Sequence, residues 1–192
     1  SRHDTICNHV HLPLQAGNDR ILKRMNRSYT SSEFLKLVDK IRRYMPDCSI
    51  TTDMIVGFPG ETEDEFSDTL SIVKKVGFNF SYMFKYSSRP GTKAAQYTDQ
   101  ISEEIKQKRL EQLIEFQKDI TLKENKKKIG KIENVLIEKE SKKSDMFWSG
   151  RTEGNTWTIV KKNKESIKDI IPVLIHDAKG VTLFGNKIKN KD

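Results

Sequence analysis

Residues 50–66 read ITTDMIVGFPGETEDEF and set the pattern for the first part of the chain. The run ITTDMIV has the length and the β-branched content of a buried strand, and the turn GFPGE follows it. Thr62 and Glu65 then form a capping box, in which a hydroxyl and a carboxylate three residues apart satisfy the first N–H groups of a helix. The stretch therefore predicts a strand, a tight turn and a helix.

The same order continues on both sides of this stretch. VHLPL (10–14) is a predicted strand ending in QAGND, and FNFSYMFKY (78–86) is another, followed by SSRPGT. Thr30 and Glu33 form a second capping box, which begins an amphipathic helix ending near Tyr44. This βαβαβ order predicts parallel strands with helical crossovers. The three turns are then expected at one rim, where parallel α/β folds bind ligands.

The last part of the chain has a different pattern. Ser102 is predicted to cap a long helix whose apolar stripe contains Ile105, Leu110, Leu113 and Ile114. After Gly130, four short apolar or alternating segments are separated by Gly, Asn and Lys: VLIEK, TWTIV, DIIPVLI and VTLFG. They predict a small antiparallel β-barrel similar to an OB-fold. We therefore predict an α/β domain over residues 1–122 and an all-β domain over residues 123–192.

The positive charge of the chain is concentrated in the second of these regions. The net charge is +8, and residues 123–192 carry 17 of the 35 Lys and Arg but only 10 of the 27 Asp and Glu. A basic domain beside a nearly neutral one indicates contact with a polyanion, most often nucleic acid. The alternative is a solvated lysine-rich surface with no partner.

Aromatic residues lie among these cations, which is a pattern suited to RNA because aromatic faces stack on bases and cations meet phosphates. The predicted RNA-binding residues are Lys142, Lys143, Phe147, Arg151, Lys161 and Lys162. Trp148 and Trp157 belong to the same region. They either join this surface or fill the barrel core, and we expect at least one of them in the core.

GFPGET (57–62) is either a ligand-binding loop or only a change of chain direction. It is not a Walker A phosphate loop, because no Lys follows Gly60. Asp53 lies within the preceding apolar strand, where a carboxylate must be paired or face a polar interior. The side-chain amide of Gln15 can form a hydrogen bond either with a ribose hydroxyl or with the neighbouring backbone. Arg89 is either a plain surface residue or a contact for a carboxylate or phosphate.

The cysteine content indicates a reducing compartment, most simply the cytoplasm. Cys7 and Cys48 are the only cysteines, form no CxxC motif and are expected as two buried thiols. His9 and His11 alternate along a strand without a third ligand, so no metal site is predicted. No apolar run approaches the length of a membrane span, and no secretory leader is evident. Because the sequence lacks an initiator Met, we expect a fragment of a longer protein.

Three segments of the first part resemble successive signatures of one enzyme family, the radical S-adenosylmethionine methylthiotransferases. They are HLPLQAGNDRILKRMNRSYT (11–30), TTDMIVGFPGETEDEF (51–66) and FKYSSRPGTKAA (84–95). KIGKIENVLIEKESKK (128–143) and FWSGRTEGNTW (147–157) resemble the family's C-terminal TRAM domain, a small RNA-binding barrel. The first signature is most similar to the branch acting on N6-isopentenyladenosine in tRNA. The branch acting on threonylcarbamoyladenosine is the alternative.

This resemblance implies the C-terminal half of a partial, TIM-like β/α barrel that binds S-adenosylmethionine at the C-terminal ends of its strands. In the family, the cofactor is cleaved reductively at a 4Fe–4S cluster and the resulting radical abstracts hydrogen from the adenine ring. An auxiliary cluster then supplies sulfur, and a methyl group completes the methylthio product. The cofactor-binding residues implied by position are Gln15, Ala16, Gly17, Asp53, Ile55, Gly57, Tyr86 and Arg89.

The family's cluster ligands have no counterpart in this sequence. A CxxxCxxC motif and three further cysteines bind the two clusters, and Cys7 and Cys48 can serve as neither set. The resemblance therefore implies the C-terminal part of an enzyme that is inactive by itself. It further implies a cytoplasmic monomer acting on a tRNA anticodon stem-loop with a separate electron donor. A non-catalytic RNA-binding protein with a decayed barrel is the other alternative.

Overall fold

A computed structural model describes residues 6–188 of the chain. In chain order the elements are β1 (His9–His11), α1 (Asp19–Arg24), α2 (Ser31–Tyr44), β2 (Ser49–Val56), α3 (Glu63–Val76), β3 (Phe80–Lys85), a 3₁₀ turn (Lys93–Gln96), α4 (Glu103–Lys126), β4 (Ile132–Glu140), β5 (Phe147–Thr152), β6 (Trp157–Lys161), β7 (Ile170–Lys179) and β8 (Thr182–Lys187). The chain separates into two compact units, of which one is Val10–Ile120. The remainder of the described chain belongs to the other.

The first unit contains a three-stranded sheet in the order β1-β2-β3, with β2 and β3 parallel. Because side chains alternate along a strand, one face of β2 carries Ile50, Met54 and Val56, which are fully buried in the core beneath the helices. The opposite face carries Asp53 and Ile55. The sheet therefore has one face packed against the helices and one that is free for a site.

Both predicted capping boxes are present, and they explain where the helices begin. Thr30 accepts a hydrogen bond from the backbone N–H of Glu33, whose carboxylate accepts one from the Thr30 N–H. Thr62 and Glu65 are joined in the same reciprocal way at the start of α3. α3 ends at Gly77 in a left-handed conformation, at φ +63°, which glycine adopts without steric cost.

The first predicted strand is shorter than VHLPL. β1 ends at His11, because Pro13 has no N–H for a ladder bond. The chain stays beside β2 through other bonds: the Leu14 N–H donates to Thr52 Oγ1 at 2.8 Å, and the Gln15 N–H donates to the Asp53 carbonyl at 2.8 Å. The segment is therefore extended and paired without being a regular strand.

The apolar stripe predicted for α4 is partly wrong. Leu113 is fully buried, but Ile105 is 43% exposed, while Lys106 and Arg109 are buried. Arg109 is held by Glu61 in the turn after β2, described below. A helical pattern of apolar residues carries no information about such a long-range ionic partner.

The second unit contains a closed five-stranded barrel in the order β4-β5-β6-β8-β7. The predicted barrel is confirmed, but β6 and β8 run parallel where an antiparallel barrel is expected. The sequence prediction also misses β5 (FWSGRT). Gly150 interrupts its pattern, and a Cβ at this position would lie 2.2 Å from the Leu136 carbonyl oxygen. The glycine therefore permits a close approach of β4 and β5.

Candidate functional site

Gln15 fixes the end of β2 at the rim of the sheet. Its N–H donates to the Asp53 carbonyl and its carbonyl accepts from the Ile55 N–H at 2.9 Å. Gln15 is buried and has a φ of +67°, a left-handed conformation that is uncommon for a residue with a side chain. Such a conformation persists only where its surroundings enforce it, and strained residues of this kind cluster at functional sites.

A cavity of about 960 Å³ opens beside this rim. Its lining includes residues from the turns after β1, β2 and β3, as the strand order predicts. The lining residues are Gln15, Lys23, Arg24, Met25, Asn26, Arg27, Asp53, Ile55, Phe58, Phe84, Lys85, Tyr86, Ser87, Arg89, Thr92, Lys93, Ala94 and Tyr97. The size and the mixture of aromatic and polar groups are typical of a small-molecule site.

Five of the eight predicted cofactor residues line this cavity, namely Gln15, Asp53, Ile55, Tyr86 and Arg89. The other three have packing roles. Ala16 lies in an apolar cluster with Ile21, Leu22 and Phe58. A Cβ on Gly17 would lie 2.4 Å from the Thr69 Cα, so this glycine lets the chain pass close to α3. Gly57, at φ +70°, faces the side chain of Lys106.

Asp53 is paired, as expected for a carboxylate within an apolar strand. Its Oδ2 lies 3.3 Å from Nε2 of His11, whose Nδ1 lies 2.9 Å from Thr51 Oγ1. The ring of His11 makes an edge contact with that of Tyr82, at 5.9 Å between centroids. These side chains lie on the free face of the sheet, where Phe84 is also half exposed. The face therefore presents a carboxylate in contact with a histidine, beside aromatic rings.

Two polar atoms near the cavity are buried without a protein partner. Tyr86 Oη and Arg24 Nε have no hydrogen bond to any part of the chain that the structure describes. Both residues line the cavity. Because unsatisfied buried polar atoms are rare and costly, they indicate that a polar ligand or water completes the site.

Below the rim, Glu61 supports the turn after β2. Its Oε2 accepts from the Gly57 N–H at 2.7 Å and from Arg109 Nη1 at 2.9 Å. Burial raises the pKa of Glu61 above its ordinary value, opposed by the Gly57 amide and by Arg109. Sequence reasoning missed this residue, because GFPGET carries no sign that its carboxylate turns inward.

Most of the cations that line the cavity were also not predicted from the sequence. Lys23 and Arg24 end the short helix α1 that follows the first turn, Arg27 lies just beyond it, and Lys93 comes directly after the third turn. The signal was the basic run KRMNR, placed next to a predicted ligand-binding turn. In the same way, the aromatic residues at every second position of β3 could have indicated that Phe84 lines the cavity.

In the barrel, the structure brings three of the predicted RNA-binding residues onto one face. Phe147 pairs with Lys161, and Arg151 pairs with Trp157, so alternation places all four on the outside of β5 and β6. The Trp157 ring lies 5.2 Å from the Arg151 guanidinium and 4.5 Å from Lys139 Nζ. We call Phe147, Arg151, Trp157 and Lys161 the stacking face.

The other three predicted RNA-binding lysines lie elsewhere in the barrel. Lys142 and Lys143 are exposed in the turn between β4 and β5. Lys162 pairs with Glu140 and lies 4.3 Å above the ring of Trp148. Trp148 is partly buried and packs against the barrel core, so the expectation that at least one tryptophan fills the core is met only in part.

The cysteines and histidines that the structure describes form no cluster that would hold a metal. Cys7 is exposed and Cys48 is buried, so the expectation of two buried thiols is wrong for Cys7. Within residues 6–188, no three His, Cys, Asp or Glu side chains come together as a metal site requires. None of the helices in the described chain has the length and apolar content of a membrane span.

Comparison with known families identifies both parts of the chain. Residues 3–73 match the model of the radical SAM superfamily, and residues 126–188 match that of the TRAM domain. The structure is similar to coproporphyrinogen III oxidase (HemN) from Escherichia coli, a radical SAM enzyme, with a TM-score of 0.51 and 23% identity over 59% of this chain and 27% of that one. The chain therefore contains part of a radical SAM domain and a TRAM domain. The predicted fold class is confirmed.

The curated relatives are more specific. The chain is 47% identical over 188 residues to tRNA-2-methylthio-N(6)-dimethylallyladenosine synthase of Christiangramia forsetii, covering 97% of this chain and 39% of that protein. It is 44% identical to the synthases of Methylacidiphilum infernorum and Caldicellulosiruptor saccharolyticus, covering 95% and 96% of this chain and 39% of each relative. The resemblance to the methylthiotransferases is thus confirmed. The chain spans 39% of the length of these relatives.

Proposed function

We propose that this chain is part of a tRNA methylthiotransferase that adds a methylthio group to C2 of N6-isopentenyladenosine next to the anticodon. The observation that carries the proposal is its similarity to dimethylallyladenosine synthases along nearly its whole length. The cavity at the strand ends and the basic barrel are consistent with it. In this proposal residues 1–122 contribute to the cofactor and nucleoside site, and residues 123–192 bind RNA.

The cavity fits S-adenosylmethionine in size and in chemistry. The cofactor carries an adenine, ribose hydroxyls, an amine and a carboxylate, and the lining combines aromatic rings with a carboxylate and several cations. The unpartnered Tyr86 hydroxyl and Arg24 Nε are available to its polar groups. We assign its binding to Gln15, Asp53, Ile55 and Tyr86, whereas Arg89 is assigned to the substrate side of the same pocket. When bound at a reduced 4Fe–4S cluster, the cofactor supplies radical hydrogen abstraction.

The protein's own groups prepare this site. The Gln15 backbone holds Asp53 and Ile55 at the strand end, and His11 orients the Asp53 carboxylate. That carboxylate is an acceptor for amine or hydroxyl donors of the cofactor or nucleoside. The two clusters belong to the whole enzyme, with ligands from outside this chain. We expect that enzyme to be a cytoplasmic monomer reduced by a separate electron donor.

The barrel is proposed to hold the tRNA anticodon stem-loop. The stacking face offers the rings of Phe147 and Trp157 to bases and the cations of Arg151 and Lys161 to phosphates. Arg151 forms a partly exposed ion pair with Glu138 at 2.6 Å, and because solvent weakens such pairs, its guanidinium can exchange this carboxylate for a phosphate. Stacking combined with positive charge is the general basis of single-stranded RNA binding.

The nucleoside profile of tRNA tests the proposal. Mass spectrometry compares tRNA from cells with and without the gene. The proposal predicts that the methylthio group disappears from isopentenyladenosine and that the unmodified isopentenyladenosine accumulates. Loss from the threonylcarbamoyl nucleoside alone would assign the chain to the sister branch. An unchanged profile would favour the non-catalytic RNA-binding alternative.

A further inference from the structure

The cavity of the first unit is strongly asymmetric in charge. Six of its lining residues are cationic and only Asp53 is anionic; the cations are Lys23, Arg24, Arg27, Lys85, Arg89 and Lys93. S-adenosylmethionine is itself a sulfonium cation, so it does not account for so much positive charge. The excess indicates a second, anionic ligand at the same cavity.

Two of the six cations have carboxylate partners. Arg24 Nη2 lies 2.8 Å from Asp99, and Lys85 Nζ lies 3.4 Å from Glu103. The other four are exposed, and none of them forms an ion pair with another residue in the range 6–188. We call Lys23, Arg27, Arg89 and Lys93 the basic rim.

The backbone of the basic rim is held in place on both sides. Lys23 and Arg27 are joined by a tight turn at the end of α1, in which the Asn26 N–H donates to the Lys23 carbonyl at 3.0 Å. On the other side, the Thr92 hydroxyl donates to the Arg89 carbonyl at 2.8 Å. The charges therefore project from two fixed turns rather than from one mobile tail.

We propose that the basic rim binds RNA phosphodiester groups on both sides of the nucleoside that enters the cavity. The inference rests on the proposed function and deepens it, because it gives the first unit an RNA contact separate from the barrel. An aromatic interior with one carboxylate suits a neutral nucleoside, whereas unpaired cations suit phosphates. Two pairs of cations on two turns offer one site to each of the two phosphates that flank one nucleoside. A free mononucleotide has only one.

Salt dependence measures the number of phosphates contacted, because each contact releases counterions from the RNA. We compare the full chain with the variant Lys23→Gln, Arg27→Gln, Arg89→Gln and Lys93→Gln. The matched control is Lys36→Gln, Lys40→Gln, Arg43→Gln and Lys74→Gln, which removes the same charge from exposed positions on α2 and α3. The ligand is a fluorescent anticodon hairpin containing isopentenyladenosine, followed by anisotropy, and circular dichroism confirms that each variant is folded.

We expect the rim variant alone to bind the hairpin more weakly than the unmodified chain and with a flatter salt dependence. Each contacted phosphate contributes roughly 0.7–0.9 to the magnitude of the slope of log K against log salt concentration. Loss of two contacts should therefore reduce that magnitude by about 1.5. A rim variant with the control's slope overturns the inference. If the hairpin still binds in this case, the proposed function stands. If none of the three proteins binds the hairpin, both the inference and the proposed function are overturned.

A second hairpin locates the contact and identifies its source. Its two linkages flanking isopentenyladenosine are neutral methylphosphonates. This change should weaken binding by the unmodified chain and the control but not by the rim variant, and adenosine monophosphate should not compete at millimolar concentration. Equal weakening of all three proteins contradicts the inference. So does full competition by the mononucleotide, which would assign the rim to a free phosphate.

Discussion

Arg109 of α4 and Glu61 of the turn after β2 form a buried ion pair that ties the last helix of the first unit to the rim of its sheet. Arg109 Nη1 donates to both the Glu61 carboxylate and the Glu61 carbonyl at 2.9 Å. The same carboxylate accepts the Gly57 N–H. The geometry of the turn that follows Asp53 and Ile55 thus depends on a residue 48 positions further along the chain.

Removing one partner of this pair should be strongly destabilising. Arg109→Met leaves a buried carboxylate without its cation, and we expect the free energy of unfolding to fall by about 3 kcal/mol. The double variant Glu61→Gln, Arg109→Met leaves no charge and should cost clearly less than the sum of the single changes. Urea unfolding measures each value, with exposed Arg43→Met as the control. Purely additive costs would show that the two side chains do not interact.

Gly17 should be required for packing. A Cβ added there would lie 2.4 Å from the Thr69 Cα, and backbone cannot yield as a flexible side chain does. Overpacking of this kind costs about 1–3 kcal/mol, so Gly17→Ala should lower the thermal midpoint by several degrees. Gly91→Ala is the control, because its Cβ meets nothing within 4 Å and only its φ of +81° is strained. Equal effects of the two changes would argue against this packing role.

The Glu65–Arg20 pair should make stability depend on acid pH. The Arg20 guanidinium, 2.5 Å away, is the largest cause holding the pKa of Glu65 below its ordinary value of 4.5. A depressed folded-state pKa gives stability that is present above about 4.5 and is lost as the pH falls through the folded value. Arg20 is half exposed, so solvent limits the effect to below about 1 kcal/mol.

The difference in stability between the unmodified chain and Glu65→Gln should therefore be largest near neutral pH and shrink below pH 4.5. Urea unfolding at a series of pH values measures it. Glu104→Gln, which removes an exposed carboxylate from the first turn of α4, is the comparison. A Glu65→Gln difference that stays constant down to pH 3 would contradict the assignment.

Trp157 should contribute directly to RNA binding. Stacking of one base on an aromatic ring is worth about 1–3 kcal/mol, so Trp157→Leu should weaken hairpin binding by roughly tenfold. Ile170→Ala is the control, because Ile170 is 67% exposed on a different strand of the same barrel. Anisotropy at fixed salt gives both affinities. If the two variants bind equally well, the stacking face is not the RNA contact.

Local signals in the sequence predicted the helices and strands well. Thr30 and Thr62 each lie three residues before a glutamate, and such a capping box acts within one turn of chain. The β-branched run before Gly57 likewise identified β2. These features depend on neighbouring residues, so they can be recognised without knowledge of the fold.

Long-range contacts were not predictable from the same signals. Arg109 is buried because Glu61 turns inward, and nothing near Arg109 in sequence indicates this. The basic rim combines turns whose members, such as Arg27 and Arg89, are far apart in the chain. Gly17 and Gly57 were assigned to the cofactor by position, whereas each faces a neighbouring helix. Sequence position therefore located the cavity and five of the residues that line it, but it did not separate these from the packing residues beside them.

Asp53 provides the most direct test of the whole account, because it belongs to both the proposed cofactor site and the family signature. The whole gene is returned to a strain that lacks it, and the fraction of isopentenyladenosine carrying a methylthio group is measured by mass spectrometry. We predict that the unaltered gene and Lys40→Ala restore the modification, while Asp53→Ala lowers it at least tenfold at equal protein level. An unaltered gene that restores nothing, or an Asp53→Ala gene that restores the full amount, would contradict the account.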